Sequence, residues 1–235
     1  VAALAQGYGG FGFGIISLSI FALTTLPLER MAAVVNLVVI PVLGLLLWWS
    51  LKDTRFHWKH WVYMIIGTAF GVPVGYEILV RFGDMPVFRS VLGVIIFVFA
   101  IHGYFNKRAI WKMPLWSGIP MGMAAGIFTG AFLSGGPPIV LYLYSQTEDP
   151  REMKATLQGI FICNGLYRLF WVGFSEEGFG GGILPIAVVA MVVVFPMLFV
   201  GHRISRGSSL TQFRKVVYAL LAVFGLLAVV RGFLL

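Results

Sequence analysis

Charged residues and cysteine are scarce in this chain. Only 11% of its 235 residues are Asp, Glu, Lys or Arg, about half the share that soluble domains carry. The single Cys163 excludes an internal disulfide and a cysteine-rich metal site. Of the four histidines, only His57 and His60 lie close together, and no third ligand stands near them in the sequence. We therefore predict neither a metal nor a cofactor.

Long apolar runs make up most of what remains. Hydrophobic residues account for 59% of the chain, and several uncharged stretches exceed the length of about 18 residues that marks a membrane span. These stretches are continuously apolar rather than alternating, which favours helices. Hydropathy predicts eight segments, at about 2–26, 31–51, 61–80, 87–105, 115–146, 153–173, 180–200 and 213–234.

The net charge is +8. In a membrane protein this excess of Lys and Arg reflects the positive-inside bias rather than nucleic-acid binding. We predict a multi-pass protein of the cell inner (cytoplasmic) membrane, in contact with the lipid bilayer and not with nucleic acid. The sequence contains no converging acid–base, nucleophile or metal set, so we predict that it is not an enzyme.

The two halves of the chain resemble each other. A shift of 123 residues places Gly7 on Gly130 and Gly12 on Gly135. The same shift matches the Pro-x-Glu motifs at 27–29 and 150–152, and Trp48 with Trp171. Internal repeats are common in transporters. We predict one transporter domain, 1–235, with repeat 1 at 1–112 and repeat 2 at 113–235.

Segments 1 and 5 are predicted to be broken. In segment 5, the limb from Pro137 to Thr147 spans only ~16 Å, about half of the hydrocarbon core. If both segments turn back inside the membrane, Lys and Arg divide twelve against four between the two faces, compared with nine against seven for eight full crossings. The positive-inside rule favours the first arrangement.

The predicted fold is therefore an all-α polytopic membrane protein. It has eight hydrophobic segments in two four-segment repeats, with segments 1 and 5 broken and re-entrant. Each repeat then crosses the membrane three times, so the repeats are inverted relative to each other. The alternative is eight full crossings with parallel halves.

The break in segment 5 is the strongest candidate for a binding site. It reads Ser134, Gly135, Gly136, Pro137, Pro138. Glycine ends one helix, and proline starts the next where its missing N–H costs little. A helix N-terminus at the break attracts anions, and Ser134 could add a hydroxyl donor. The alternative is a kink that only serves helix packing.

Segment 1 carries the matching break. Its glycines include Gly12 and Gly14, with Ser17 close behind, but it has no proline at the equivalent place. With inverted halves, the two breaks could meet at the membrane midplane and form one substrate site flanked by two helix N-termini.

Two polar residues of segment 6 are the auxiliary candidates. Asn164 and Arg168 are four residues apart and share one helical face. A charge at this depth usually faces the protein interior and often marks a pathway, so we predict that both contact an anion. The alternative for Arg168 is that it snorkels to the membrane interface or pairs with a structural acid such as Glu176. We interpret Glu77 and Arg81 as a local ion pair, and the glycines at 118, 122, 126 and 130 as a surface for close helix packing.

The sequence resembles the TauE/SafE sulfite exporter family. The resemblance is carried by SGGPPIVLYLY at 134–144, the glycine stripe before it, DPREMKATLQ at 149–158, NGLYR at 164–168 and the glycine-rich first segment. It implies a secondary transporter of a small sulfur-containing anion: sulfite, thiosulfate or an organosulfonate.

From the anion site and the resemblance together, we expect an exporter that works by alternating access. The alternatives are an anion channel, or an importer of sulfonates coupled to protons or sodium. A homodimer is a further partner that the sequence allows. A membrane-embedded enzyme is the least supported reading.

Overall fold

The computed structural model describes residues 1–10, 12–24, 26–51, 55–105, 112–133, 135–146, 150–174, 180 and 182–205, and the single residues 219, 222, 223, 226, 229 and 230. Within these residues the fold is all-helical and has no β-strand. The helices are α1 (Ala2–Gly9), α2 (Phe13–Ala22), α3 (Leu28–Leu51), α4 (Trp58–Phe82), α5 (Pro86–Phe105), a 3₁₀ turn (Leu115–Ser117), α6 (Gly118–Phe132), α7 (Gly136–Gln146), α8 (Pro150–Gly173) and α9 (Ile183–Ser205).

Within the described residues, four stretches are long and apolar enough to cross a membrane. They are Leu28–Leu51, Trp58–Phe82, Leu115–Phe132 and Ile183–Ile204. The prediction of an all-α membrane protein is confirmed at this level. The eighth predicted segment, 213–234, lies almost entirely outside the described residues.

The first helix break lies at the predicted glycines. Gly10 has φ 80° and Gly12 has φ 110°, values that side-chain-bearing residues rarely adopt. Gln6 bridges the break: its Nε2 donates to the Gly10 carbonyl at 3.0 Å, and its Oε1 accepts from the Phe13 N–H at 3.0 Å. These bonds satisfy backbone groups that the broken helix leaves without partners.

The second break separates α6 from α7. Leu133 ends α6 with φ 51°, and its N–H donates to the Thr129 carbonyl at 3.0 Å. α7 starts at Gly136 with two prolines in its first turn, where a backbone N–H has no partner within the helix.

α6 and α7 form a helical hairpin. Tyr142 of α7 donates to the carbonyl of Leu115, at the start of the hairpin, at 3.1 Å. Gln146, the last residue of α7, donates to the Met113 carbonyl at 2.8 Å. α7 therefore runs back along α6, and the stretch from 113 to 146 begins and ends at the same end of the bundle.

α3 and α8 pack against each other in opposite directions. Asn36, early in α3, donates to the carbonyl of Gly165, late in α8, at 3.0 Å. Ser50, at the end of α3, donates to Gln158, in the first half of α8, at 3.1 Å. The hairpin explains this direction: had α6 and α7 continued as one spanning helix, α8 would run parallel to α3.

The glycine stripe of α6 packs against α4, as predicted. A Cβ on Gly67 would clash with the carbonyl of Ile119, and one on Gly75 with that of Ile127. The two backbones touch because neither helix presents a side chain at the contact. α1 meets α9 in the same way, since a Cβ on Gly7 would clash with the carbonyl of Leu198.

Candidate functional site

A cavity lies where the two helix breaks meet. Its volume is about 60 Å³, enough for a few water molecules or one small oxyanion. It is halfway along the bundle, because Val39 lines it from the middle of α3 and Phe161 from the middle of α8. The lining residues are Gln6, Gly12, Gly14, Ile15, Asn36, Val39, Leu43, Thr129, Leu133, Gly135, Gly136, Phe161 and Gly165.

Two helices begin at this cavity. α2 starts just after Gly12 and α7 starts at Gly136, and both glycines belong to the lining. The first N–H groups of a helix have no partner within it and carry about half a positive charge. None of the lining side chains among the described residues is charged. The arrangement can therefore attract an anion without a charged side chain.

The two breaks are in direct backbone contact. A Cβ on Gly14 would lie 2.5 Å from the carbonyl oxygen of Leu133. Only a glycine fits at this distance. Gly136 has more room, because a Cβ there would meet the Phe161 ring at an ordinary 3.7 Å.

The cavity is also lined by three polar side chains that the site prediction did not include. They are Gln6, Asn36 and Thr129. Gln6 and Thr129 each lie about one turn before their helix break and are 123 residues apart, the repeat shift. That equivalence was a signal available in the sequence. The Thr129 hydroxyl donates to the Ala125 carbonyl at 2.8 Å and leaves its lone pairs available.

Four of the nine predicted site residues line the cavity: Gly12, Gly14, Gly135 and Gly136. Ser17 is partly buried on α2 and is not among the lining residues. Pro137 is the second residue of α7, and its side chain is outside the described part. Ser134 lies outside the described residues altogether.

Arg168 is fully buried but does not line the cavity. Its Nε donates to the carbonyl of Gly130 at 3.1 Å and its Nη1 to that of Ala32 at 3.5 Å. The guanidinium also stands 5.5 Å from the ring centre of Tyr76, whose hydroxyl donates to Glu29 at 3.0 Å. Gly130 is in the last turn of α6, so the cation stabilises the negative end of the first hairpin limb.

Asn164 is buried one turn before Arg168 on the same helix. Its Nδ2 and the Nη2 of Arg168 are buried and have no hydrogen-bond partner in the described part of the chain. Asn164 does not line the cavity either. Two donors on one face of α8 are thus unsatisfied, which costs free energy unless a water or a ligand reaches them.

Other predicted features fall outside the cavity. Glu77 and Arg81 form the expected exposed ion pair at 2.6 Å. Among the described residues, no group of three His, Cys, Asp or Glu side chains could hold a metal ion.

The family model described as "Sulfite exporter TauE/SafE" matches residues 1–228. The chain belongs to this family. One similar relative is the "Probable sulfite/organosulfonate exporter TauE" of Cupriavidus necator, which is 23% identical over 227 residues, covering 94% of this chain and 86% of that protein. No solved structure matches the chain. Membership of the TauE/SafE family and the apolar helices make this chain a multi-pass membrane protein of an exporter family.

Proposed function

We propose that this TauE/SafE protein is a secondary transporter that exports a small sulfur-containing anion across the cytoplasmic membrane by alternating access. The candidate substrates are sulfite, thiosulfate and organosulfonates. One observation carries the proposal: the N-termini of α2 and α7 meet at a small uncharged cavity halfway along the bundle. This is the geometry that transporters use to bind an anion at the midplane.

In this proposal the anion is bound mainly by backbone. The N–H groups proposed to bind it are those of Gly14 and Ile15 at α2 and of Gly136 at α7, because Phe13 donates to Gln6 and Pro137 and Pro138 have no N–H. Gln6 and Asn36 supply side-chain amide dipoles, Thr129 donates only when its hydroxyl leaves the Ala125 carbonyl, and Ser17, Ser134 and Pro137 complete the two breaks. A site without a charged side chain holds the anion weakly enough to release it within a transport cycle.

In this proposal Arg168 and Asn164 influence the anion site although neither lines the cavity. Arg168 is bonded to the last turn of α6, and we propose that it fixes the hairpin and adds a positive field at the cavity. The unsatisfied amide of Asn164 and the free Nη2 of Arg168 are the donors that an anion or water would meet if the hairpin moves during transport.

The proposed topology is two inverted repeats, 1–112 and 113–235, each with a re-entrant first segment. The hairpin of α6 and α7 and the opposite directions of α3 and α8 support it. The helix contacts support it as well. Gly7 and Gly130 are equivalent in the two repeats; Gly7 packs against the Leu198 backbone and Gly130 against the Val72 backbone. The contact of α1 with α9 in the second repeat thus corresponds to the contact of α6 with α4 in the first.

Charges at the two bundle ends agree with this topology. The end that holds residues 57, 113 and 146 also carries Arg55, Lys59 and Lys112, and it is proposed to be cytoplasmic. An inside-negative potential favours export of an anion by ~2.3 kcal/mol per charge per 100 mV, so export needs no coupled ion.

Transport assays in proteoliposomes test the proposal. Sulfite, thiosulfate, sulfoacetate, sulfate and chloride are compared in uptake and counterflow. We expect saturable counterflow of at least one sulfur anion above empty liposomes and above chloride. Flux that does not saturate and shows no counterflow would indicate a channel, and no flux of any sulfur anion would refute the proposal.

A further inference from the structure

A second group of ionisable side chains lies at the proposed cytoplasmic end of the bundle. His57, just before α4, has its Nε2 at 2.7 Å from Glu152 Oε2 in the first turn of α8. His60, one turn into α4, has its Nδ1 at 2.9 Å from the Tyr142 hydroxyl of α7. The two imidazole ring centres are 5.7 Å apart. The group joins the starts of α4 and α8 to the end of α7.

The hydrogen bonds fix how His60 is protonated. The Tyr142 hydroxyl donates to the Leu115 carbonyl, which can only accept. The hydroxyl must therefore accept from His60, so Nδ1 carries a hydrogen. The Nε2 lone pair of the neutral ring then remains to bind a further proton, which would also strengthen the Nδ1–H bond to Tyr142.

Several ionisable side chains surround His60, and the neighbouring His57 ring opposes a second positive charge there. The ionisable side chains near it are His57 and Tyr63 on its own segment, Tyr142 from α7 and Glu152 from α8. Arg55 and Lys59 are exposed at the same end. One carboxylate balances one imidazolium, whereas two imidazolium rings side by side would repel each other. The side chains of His57 and Glu152 are 30% and 22% exposed, so protons in solution reach the group.

The same helices carry the anion cavity. Gly136 at the start of α7 lines the cavity, and Tyr142 lies six residues later, ~9 Å along one short helix. α8 likewise connects Glu152 with Phe161. The Tyr142 hydrogen bond and the N-terminus that faces the cavity therefore belong to one short helix.

We propose that His57, His60, Tyr142 and Glu152 form a proton-binding site that is coupled to the anion cavity through α7. A proton bound here and an anion bound in the cavity attract each other, so each raises the affinity for the other. If the proton crosses together with the anion, the direction of net transport follows two forces: the inside-negative potential favours export, and an acidic outside favours import. This inference rests on the proposed transport function.

Thiosulfate transport under a pH gradient tests the coupling, because thiosulfate stays ionised near neutral pH and carries no proton itself. With about pH 6 outside and about pH 8 inside, we expect at least about fivefold accumulation by the wild-type protein, abolished by a proton ionophore. In detergent, thiosulfate binding should take up protons from a weakly buffered solution.

Variants locate the site. We expect His60→Gln and Tyr142→Phe each to lower pH-driven accumulation at least about fivefold, and His60→Gln to abolish the proton uptake on binding. His202→Gln is the matched control, because the His202 ring contacts Trp49 outside this group. This variant should keep both the pH-driven accumulation and the proton uptake on binding. Size-exclusion chromatography checks that each variant folds.

The outcomes separate the two proposals. If the wild-type protein exchanges thiosulfate in counterflow but neither accumulates it along the pH gradient nor takes up protons, the proton site is wrong and the transport function stands. Coupling that survives unchanged in both variants also overturns the site. If no sulfur anion moves at all, the proposed function and the proton site both fail.

Discussion

Gly14 of α2 lies against the carbonyl group of Leu133, so the two helix breaks of this protein touch through their backbones. The residues are more than a hundred positions apart in sequence; Leu133 itself has a positive φ, and Gly14 lies two residues after Gly12, which also has one. Such strained positions collect at functional sites. The contact brings two helix N-termini to one cavity, and most of the expected effects of mutation follow from it.

Gly14→Ala should disrupt the meeting of the breaks. The added methyl group would lie 2.5 Å from the Leu133 carbonyl oxygen, which forces the backbones apart and costs about 1–3 kcal/mol of stability. We expect a lower melting temperature in detergent and strongly reduced counterflow. Gly44→Ala is the matched control, because a Cβ at Gly44 of α3 meets nothing within 4 Å. An unaffected Gly14→Ala protein would contradict the contact.

Substitutions at Gly136 should block the anion while leaving the fold intact. A Cβ there lies at 3.7 Å from Phe161 and is accommodated, whereas a longer side chain would extend into a cavity of only about 60 Å³. We expect Gly136→Ala to retain part of the transport and Gly136→Leu to abolish it, with normal expression of both. Full transport by Gly136→Leu would exclude anion binding at this break.

Arg168→Ala should lower both stability and anion affinity. The variant loses two hydrogen bonds to backbone carbonyls and leaves a void at a fully buried position, at a cost of about 3 kcal/mol. Thermal unfolding and thiosulfate titration measure the two effects. Arg168→Lys keeps the charge but cannot reproduce the bonding of the guanidinium. The control Arg81→Ala removes an exposed ion pair and should change stability by less than about 1 kcal/mol.

Cysteine labelling in whole cells should distinguish re-entrant from spanning segments. On a Cys163→Ser background, we expect cysteines at positions 55 and 148 to react with membrane-impermeant reagents only from the cytoplasmic side. A cysteine at position 84, in the turn between α4 and α5, should react from the other side. Opposite accessibility of positions 55 and 148 would instead show that segment 5 crosses the membrane.

Some of this architecture could be predicted because it depends on local chemistry. The breaks at Gly10–Gly12 and Leu133–Gly136 follow from the conformations that glycine allows and proline imposes. The glycine stripe of α6 predicts close packing because a helix face without side chains lets a neighbouring helix backbone approach closely.

The cavity lining was predicted only in part. Gln6 and Asn36 are polar residues in apolar helices, and sequence reasoning can give them a binding role or a packing role equally well. Arg168 drew attention as a buried charge, yet its bonds go to Gly130 and Ala32, which no local pattern reveals. The pairing of His57 with Glu152 likewise joins residues 95 positions apart.

The sequence by itself determined that this is a helical membrane protein with two broken segments. Both features depend on the length of apolar runs and on the backbone preferences of glycine and proline, which are properties of residues close together in the sequence. Only the tertiary structure decided that the two breaks meet, which polar groups line the space between them, and that Arg168 is bonded to the end of α6. Those outcomes depend on how helices far apart in the chain pack, and packing is set by the fit of whole surfaces rather than by any single segment.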